Sequence, residues 1–280
     1  MEARWEDPPE YRGGGGPQFA MPGLTPMVKN VIFVNAAVFL VQLLLGFPST
    51  MSAKLWIEDA FSINPVLWTS WFPFVPVWQL LTYGFLHDGI LHVLYNMLFL
   101  FFLGTMLEGT VGPRRFLVFY LVAVTLSGAA QLALGLVMGQ SALVLGASGG
   151  VLAVVCAMAT LRPETRIIFI VFPLTLKTLA IIIVGIDAIG LITMVQGQHT
   201  GVASLAHLTG AAFGFLAVRK GWIWRDPVAG LERVRERNIA EQAATDQERL
   251  DELLRRIHRE GIGSLSAREK AFLKRMSQSR

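Results

Sequence analysis

FLVFYLVAVTLSGAAQLALGLVMGQSALVLGASGGVLAVVCAMATL, residues 116–161, contains no charged side chain. A helix needs about 20 predominantly apolar residues to cross the hydrocarbon core of a bilayer. This stretch belongs to two such runs, 115–138 and 147–162, separated by the short loop 139–146. Composition points the same way. Of the 280 residues, 53% are hydrophobic and 16% charged, against about 25% charged in soluble domains. The expectation is an all-α integral membrane protein.

Further runs at 28–47, 89–108, 178–197 and 201–219 bring the expected architecture to six transmembrane helices. The runs 147–162 and 201–219 are short, which predicts ends buried in protein rather than lipid. Loop 48–88 is apolar but broken by Pro48, Pro65, Pro73 and Pro76. Its Trp56, Trp68, Trp71, Phe72, Phe74 and Trp78 favour the headgroup zone, so the loop is expected to lie in one interface. Residues 163–177 read as a second interfacial segment on the opposite side. Lys29, Arg114, Arg115, Arg162, Arg166, Lys177, Arg219, Lys220 and Arg225 fall on one face, and Lys54 on the other. Basic residues favour the cytoplasmic side. Both termini are therefore expected in the cytoplasm, with loops 48–88, 139–146 and 198–203 outside.

Residues 1–27 are Pro/Gly-rich, with a run from Gly13 to Gly16, and read as a disordered lead rather than a signal peptide. Residues 28–220 form the expected membrane domain, and 221–280 a cytoplasmic helical tail. In that tail Leu250, Leu253, Leu254 and Ile257 recur at helical spacing, and Gly261 and Gly263 end the run. Ser266 with Glu269 makes a capping box ahead of Phe272, Leu273 and Met276. The result is a short soluble helical hairpin. The net charge of +4 is accounted for by membrane-flanking basic residues, so no nucleic-acid partner is expected. Cys156 is the single cysteine, which excludes an intrachain disulfide.

The expected topology brings a few polar residues to one depth. His92 and Asn96 share one face of the second span, near its outer end. Ser148 opens the fourth span within Gly146-Ala147-Ser148-Gly149-Gly150. His207 lies roughly 9 Å inside the sixth span. A serine hydroxyl reacts only when a base takes its proton, and His207 is the histidine on a facing helix able to do so. Ser148 alone would serve equally as a small packing residue, and His207 as an interhelical hydrogen-bonding one. Gly146 frees the backbone ahead of Ser148, whose N–H stands at a helix N-terminus. With His92 and Asn96 as further donors, that N–H would stabilise a developing oxyanion. Gly149, Gly150, Ala153 and Ala157 facing Gly210 and Gly214 let two helices approach closely. Asp187, in the fifth span, reads as a hydrogen-bonding residue that orients its helix, or as a proton relay. Glu108 reads as an anchor near Arg114 and Arg115, and Cys156 as core. His87 and His92 lie on different faces and lack a Cys or Glu cluster, so no metal is expected, and no cofactor.

His92-Val-Leu-Tyr-Asn96, Gly146-Ala-Ser148-Gly149 and Ala206-His207-Leu-Thr-Gly210-Ala-Ala-Phe-Gly214, in that order, resemble the rhomboid intramembrane serine proteases. The resemblance covers about 28–220. It implies a six-helix bundle whose Ser–His dyad, Ser148 and His207, has no carboxylate partner. It also implies His92 and Asn96 supporting the oxyanion and a gate between the second and fifth helices. The implied activity is hydrolysis of peptide bonds in or near the transmembrane segments of membrane-protein substrates, and the implied location is a cell membrane such as the bacterial inner membrane. Two positions depart from the family: Trp78-Gln79 stands where many members have Trp-Arg, and Leu152 where some stack an aromatic ring under the histidine. Other readings are a non-cleaving relative that binds membrane clients, a small transporter and a scaffold whose tail recruits partners.

Overall fold

Helix α1, Pro26–Leu45, starts on a proline, whose fixed φ suits the first helical position. Thr25, before it, makes no side-chain cap bond within the helix. Glu108 supplies the cap from elsewhere. Its carboxylate accepts the Met27 and Val28 N–H groups at 3.1 and 2.8 Å and the Thr25 hydroxyl at 2.6 Å. The free N–H groups and the positive end of the helix dipole satisfy this buried acid, which was expected beside Arg114 and Arg115. The computed structural model describes residues 23–47, 50–169, 172–197, 203–226 and 229–278. Most of the expected disordered lead and of loop 198–203 lies outside the described residues, but α1 already begins at Pro26.

The described part of the expected loop 48–88, from residue 50, folds into α2 (Met51–Phe61), α3 (Pro65–Ser70), α4 (Gln79–Thr82) and a 3₁₀ turn over Tyr83–Phe85. Gln79 is buried at its centre. Its oxygen accepts the Trp68 indole N–H at 3.0 Å and the Asn64 N–H at 3.1 Å, and its amide donates to the Asp59 carbonyl at 3.0 Å. A neutral amide here both donates and accepts, so it can order a loop that buries many backbone groups.

The chain continues in α5 (Ile90–Phe99), a π turn over Leu100–Gly104, and α6 (Thr105–Val111). Gly112, at φ +88°, makes the turn into α7 (Pro113–Val137). Then come α8 (Ser148–Leu161), α9 (Leu176–Val195) and α10 (Ser204–Arg219). Between α8 and α9 the chain forms a two-stranded antiparallel sheet, β1 (Arg166–Phe169) with β2 (Phe172–Thr175), pairing Arg166 with Thr175. This corrects the all-α expectation at one place. The stretch is rich in β-branched and aromatic residues, which favour strand pairing.

Among the described residues, four helical segments are long and apolar enough to cross a membrane: Pro26–Leu45, Ile90–Val111, Pro113–Val137 and Leu176–Val195. With these the chain is a mostly helical, multi-pass membrane protein. Helices α8 and α10 are shorter. Every residue from Gly149 to Met158 is buried, and α8 packs against α7, α9 and α10. Helix α9 is the opposite. Ile181, Ile186, Ile189 and Ile192 face outward, and its buried residues include a single acid, Asp187.

The chain divides after Arg225 into two compact units. The second contains α11 (Ala229–Glu260) and α12 (Ala267–Gln278) around Leu253, Leu265 and Phe272. Ser266 and Glu269 form the reciprocal cap, with the Ser266 N–H donating to Glu269 Oε2 at 2.8 Å and the Glu269 N–H to Ser266 Oγ at 3.3 Å. The Ser266 hydroxyl also donates to Glu269 Oε2, at 2.7 Å, and this bond, then the one from the Ser266 N–H, then the nearby Arg256, hold the Glu269 carboxyl below the usual range.

Candidate active site

Small residues allow two helices to approach backbone to backbone. A Cβ added at Gly210 would stand 2.0 Å from the Gly149 carbonyl oxygen, and one at Gly214 would stand 2.1 Å from that of Ala153. Helices α8 and α10 therefore touch through their main chains, as the glycine and alanine spacing predicts. Ser148 is the first residue of α8, and His207 lies in the first turn of α10. Across the contact, Ser148 Oγ lies 2.6 Å from His207 Nε2, and both residues are half-buried.

The other ring nitrogen of His207, Nδ1, lies 2.8 Å from Asp187 Oδ1 on α9. An ionised carboxylate only accepts, so with Asp187 in that form Nδ1–H donates to it and Nε2 is left to accept the Ser148 hydroxyl proton. Asp187, His207 and Ser148 thus form one continuous chain across α9, α10 and α8. Counted along the helices, Asp187 comes roughly one turn deeper than His207. That is why the sequence shows an intramembrane acid but not its partner.

Two chain segments set the approach to Ser148. Ile63 and Val144 exchange a pair of backbone hydrogen bonds, at 2.9 and 3.0 Å. The Gly146 N–H donates to the Tyr83 carbonyl at 2.9 Å, and the Tyr83 hydroxyl donates to the Val124 carbonyl at 2.8 Å. Gly146 then adopts φ +132°, and a Cβ there would fall 2.7 Å from His92 Cε1 and 2.8 Å from His92 Nε2. Only glycine admits the His92 ring so close to the backbone. The same point lies 3.7 Å from Ser148 Oγ, so His92 shares the recess with the serine. The Ser148 N–H stands at the α8 N-terminus, where helix donors have no intrahelical partner. Asn96 is buried, and its amide donates to the His92 carbonyl at 3.0 Å.

His87 packs edge-on against His92, with ring centroids 5.1 Å apart. Burial, and then the neighbouring His92 ring, push the His87 imidazole down to about 3. Among the described residues, no group of three His, Cys, Asp or Glu side chains could hold a metal ion.

The Rhomboid domain family matches residues 76–223. A family of unknown function (DUF6576) matches 236–279, within the second unit. The chain is similar to Rhomboid protease GlpG of Yersinia pestis (strain Pestoides F), at 24% identity over 106 residues, 38% of this chain and 34% of that protein. It matches the Yersinia pseudotuberculosis serotype O:3 (strain YPIII) protein of the same name equally well. It is also similar to RHOMBOID-like protein 4 of Arabidopsis thaliana, at 32% identity over 139 residues, 50% of this chain and 32% of that protein. The matches span about a third of the length of these relatives.

Proposed function

This chain belongs to the rhomboid family, and on that premise we propose that it is an intramembrane serine endopeptidase that cleaves membrane proteins in or near their transmembrane segments. The observation that carries the reading is the 2.6 Å approach of Ser148 Oγ to His207 Nε2 between two helices in main-chain contact. The similar Yersinia proteins, themselves named proteases, support it.

In this reading Ser148 Oγ attacks the scissile carbonyl carbon. The Oγ–H bond breaks, its proton passes to His207 Nε2, and the carbonyl π pair moves to oxygen. The Ser148 N–H and the His92 and Asn96 side chains stabilise that oxyanion, and Gly146 keeps the space beside it open. Collapse expels the amine, which takes the proton from Nε2. A water then hydrolyses the acyl ester by the same exchange and returns the proton to Ser148. No metal or cofactor is required.

Residues 28–220 form the protease domain, with six spans that include the short α8 and α10, and 221–280 form a cytoplasmic tail that carries the helical hairpin of α11 and α12. Both termini lie in the cytoplasm of a cell such as a bacterium, and the site opens beneath the outer face of its inner membrane. A helical substrate hides its carbonyls in hydrogen bonds, so segments with helix-weakening residues and small side chains near the cut are preferred.

The test is labelling by a fluorophosphonate, which traps an activated serine hydroxyl with loss of fluoride. Wild-type protein labels and cleaves a transmembrane reporter. Ser148→Ala and His207→Ala each lose cleavage by at least about a thousandfold. Robust labelling of both variants would end the reading.

A further inference from the structure

Asp187 is the one acid of α9, it is buried, and its Oδ1 lies 2.8 Å from His207 Nδ1, on the far side of the ring from Ser148. We infer that Asp187 is a positioning residue for catalysis, which makes the working unit of this protein a Ser148–His207–Asp187 triad rather than a dyad. The inference rests on the proposed protease activity and goes beyond it, because that activity needs only the serine and the histidine.

The physical case has three parts. An imidazole has two tautomers, and only the one protonated at Nδ1 can accept the serine proton at Nε2. A carboxylate at Nδ1 selects that tautomer. The ring could otherwise rotate about its side-chain bonds, and a second hydrogen bond on the opposite side from Ser148 holds its plane along the line between the two oxygens. When Ser148 gives up its proton the ring becomes an imidazolium. Asp187 faces the resulting charge in a low-dielectric setting, where attraction between opposite charges is strong. The Nδ1 proton stays on nitrogen throughout.

Helix α9 otherwise presents an apolar face to its surroundings, with Ile181, Ile186, Ile189 and Ile192 exposed. Nothing else in its composition calls for an acid at this depth. The contact is the polar link from α9 to the reactive histidine, so it also fixes the register of α9 against α10.

The decisive variant is Asp187→Asn in the full chain, which keeps size and shape but can donate to Nδ1 and so favour the wrong tautomer. The expected result is a kcat reduced by at least about tenfold, and by as much as about ten-thousandfold, with KM within about twofold of wild type. The rate of fluorophosphonate labelling falls in parallel, because it also depends on activation of Ser148. Asp187→Glu, which keeps the charge, labels faster than Asp187→Asn. A kcat for Asp187→Asn less than about tenfold below wild type overturns the inference. So does slowed cleavage with unchanged labelling, which would mark a role confined to substrate access or helix packing. The two levels of the argument separate cleanly. Ser148→Ala and His207→Ala inactive alongside a fully active Asp187→Asn defeats the triad alone, whereas cleavage surviving Ser148→Ala defeats the Ser148-based serine-protease reading itself.

Discussion

A carboxylate in the middle of an apolar membrane helix costs roughly 2.5–3.5 kcal/mol to insert, and Asp187 bears that cost in contact with His207 Nδ1. Glu108 shows the same logic at a helix end, where free N–H groups take the place of a histidine. His87 is a third buried polar residue, and it carries a pH signature. Its imidazole is pushed down from 6.5 to about 3 by burial and by the His92 ring. Between those values the unfolded chain holds a proton that the folded chain refuses, so stability falls as pH drops through the window and levels off above it. Thermal unfolding followed from about pH 7.5 to about pH 4 is expected to show this decline, and His87→Gln to flatten it. An unchanged slope in the variant would assign the acid sensitivity to other groups.

At the scale of elements, the α8–α10 contact sets the distance between nucleophile and base. A methyl group at Gly214 would meet a backbone carbonyl at 2.1 Å, and a carbonyl cannot rotate aside as a side chain can. Gly214→Ala is therefore expected to destabilise the protein by about 3 kcal/mol, the upper part of the range for overpacking. Cleavage is expected to fall with it, because α10 carries His207. Gly185→Ala on α9 is the matched control. Nothing stands within 4 Å of its Cβ position, so it is expected to be neutral or to stabilise by about 0.5–1 kcal/mol. Unfolding titrations in detergent measure both, and equal effects would contradict close α8–α10 packing. Gln79 illustrates how loops are built here. It is buried, and it organises the loop through one acceptor and one donor group.

The whole molecule combines a membrane unit and a second unit, each with its own buried core. The proposed catalytic groups all lie in the first. Removing residues 226–280 is therefore expected to leave cleavage of a transmembrane reporter within about twofold of the full chain, read as turnover per labelled serine. Loss of turnover on truncation would assign the second unit a direct part in the reaction. That unit has its own acid-sensitive element. The lowered Glu269 carboxyl contributes stability above its ordinary range and loses it as pH falls through its folded value.

Hydropathy and spacing were enough to locate the four long apolar helices, the glycine faces of α8 and α10 and the Ser266–Glu269 cap, and to single out Ser148 and His207 as candidates, because each depends on residues close together in the chain or repeating at the helical period. The same local signals could not reveal the β1–β2 hairpin, whose pairing competes with helix over a few apolar residues. Nor could they assign Glu108 to the α1 N-terminus or Asp187 to His207. Those contacts join residues 80 and 20 positions apart. They depend on how neighbouring helices are rotated and offset against each other, which hydrophobic patterning leaves free and only the packed structure decides.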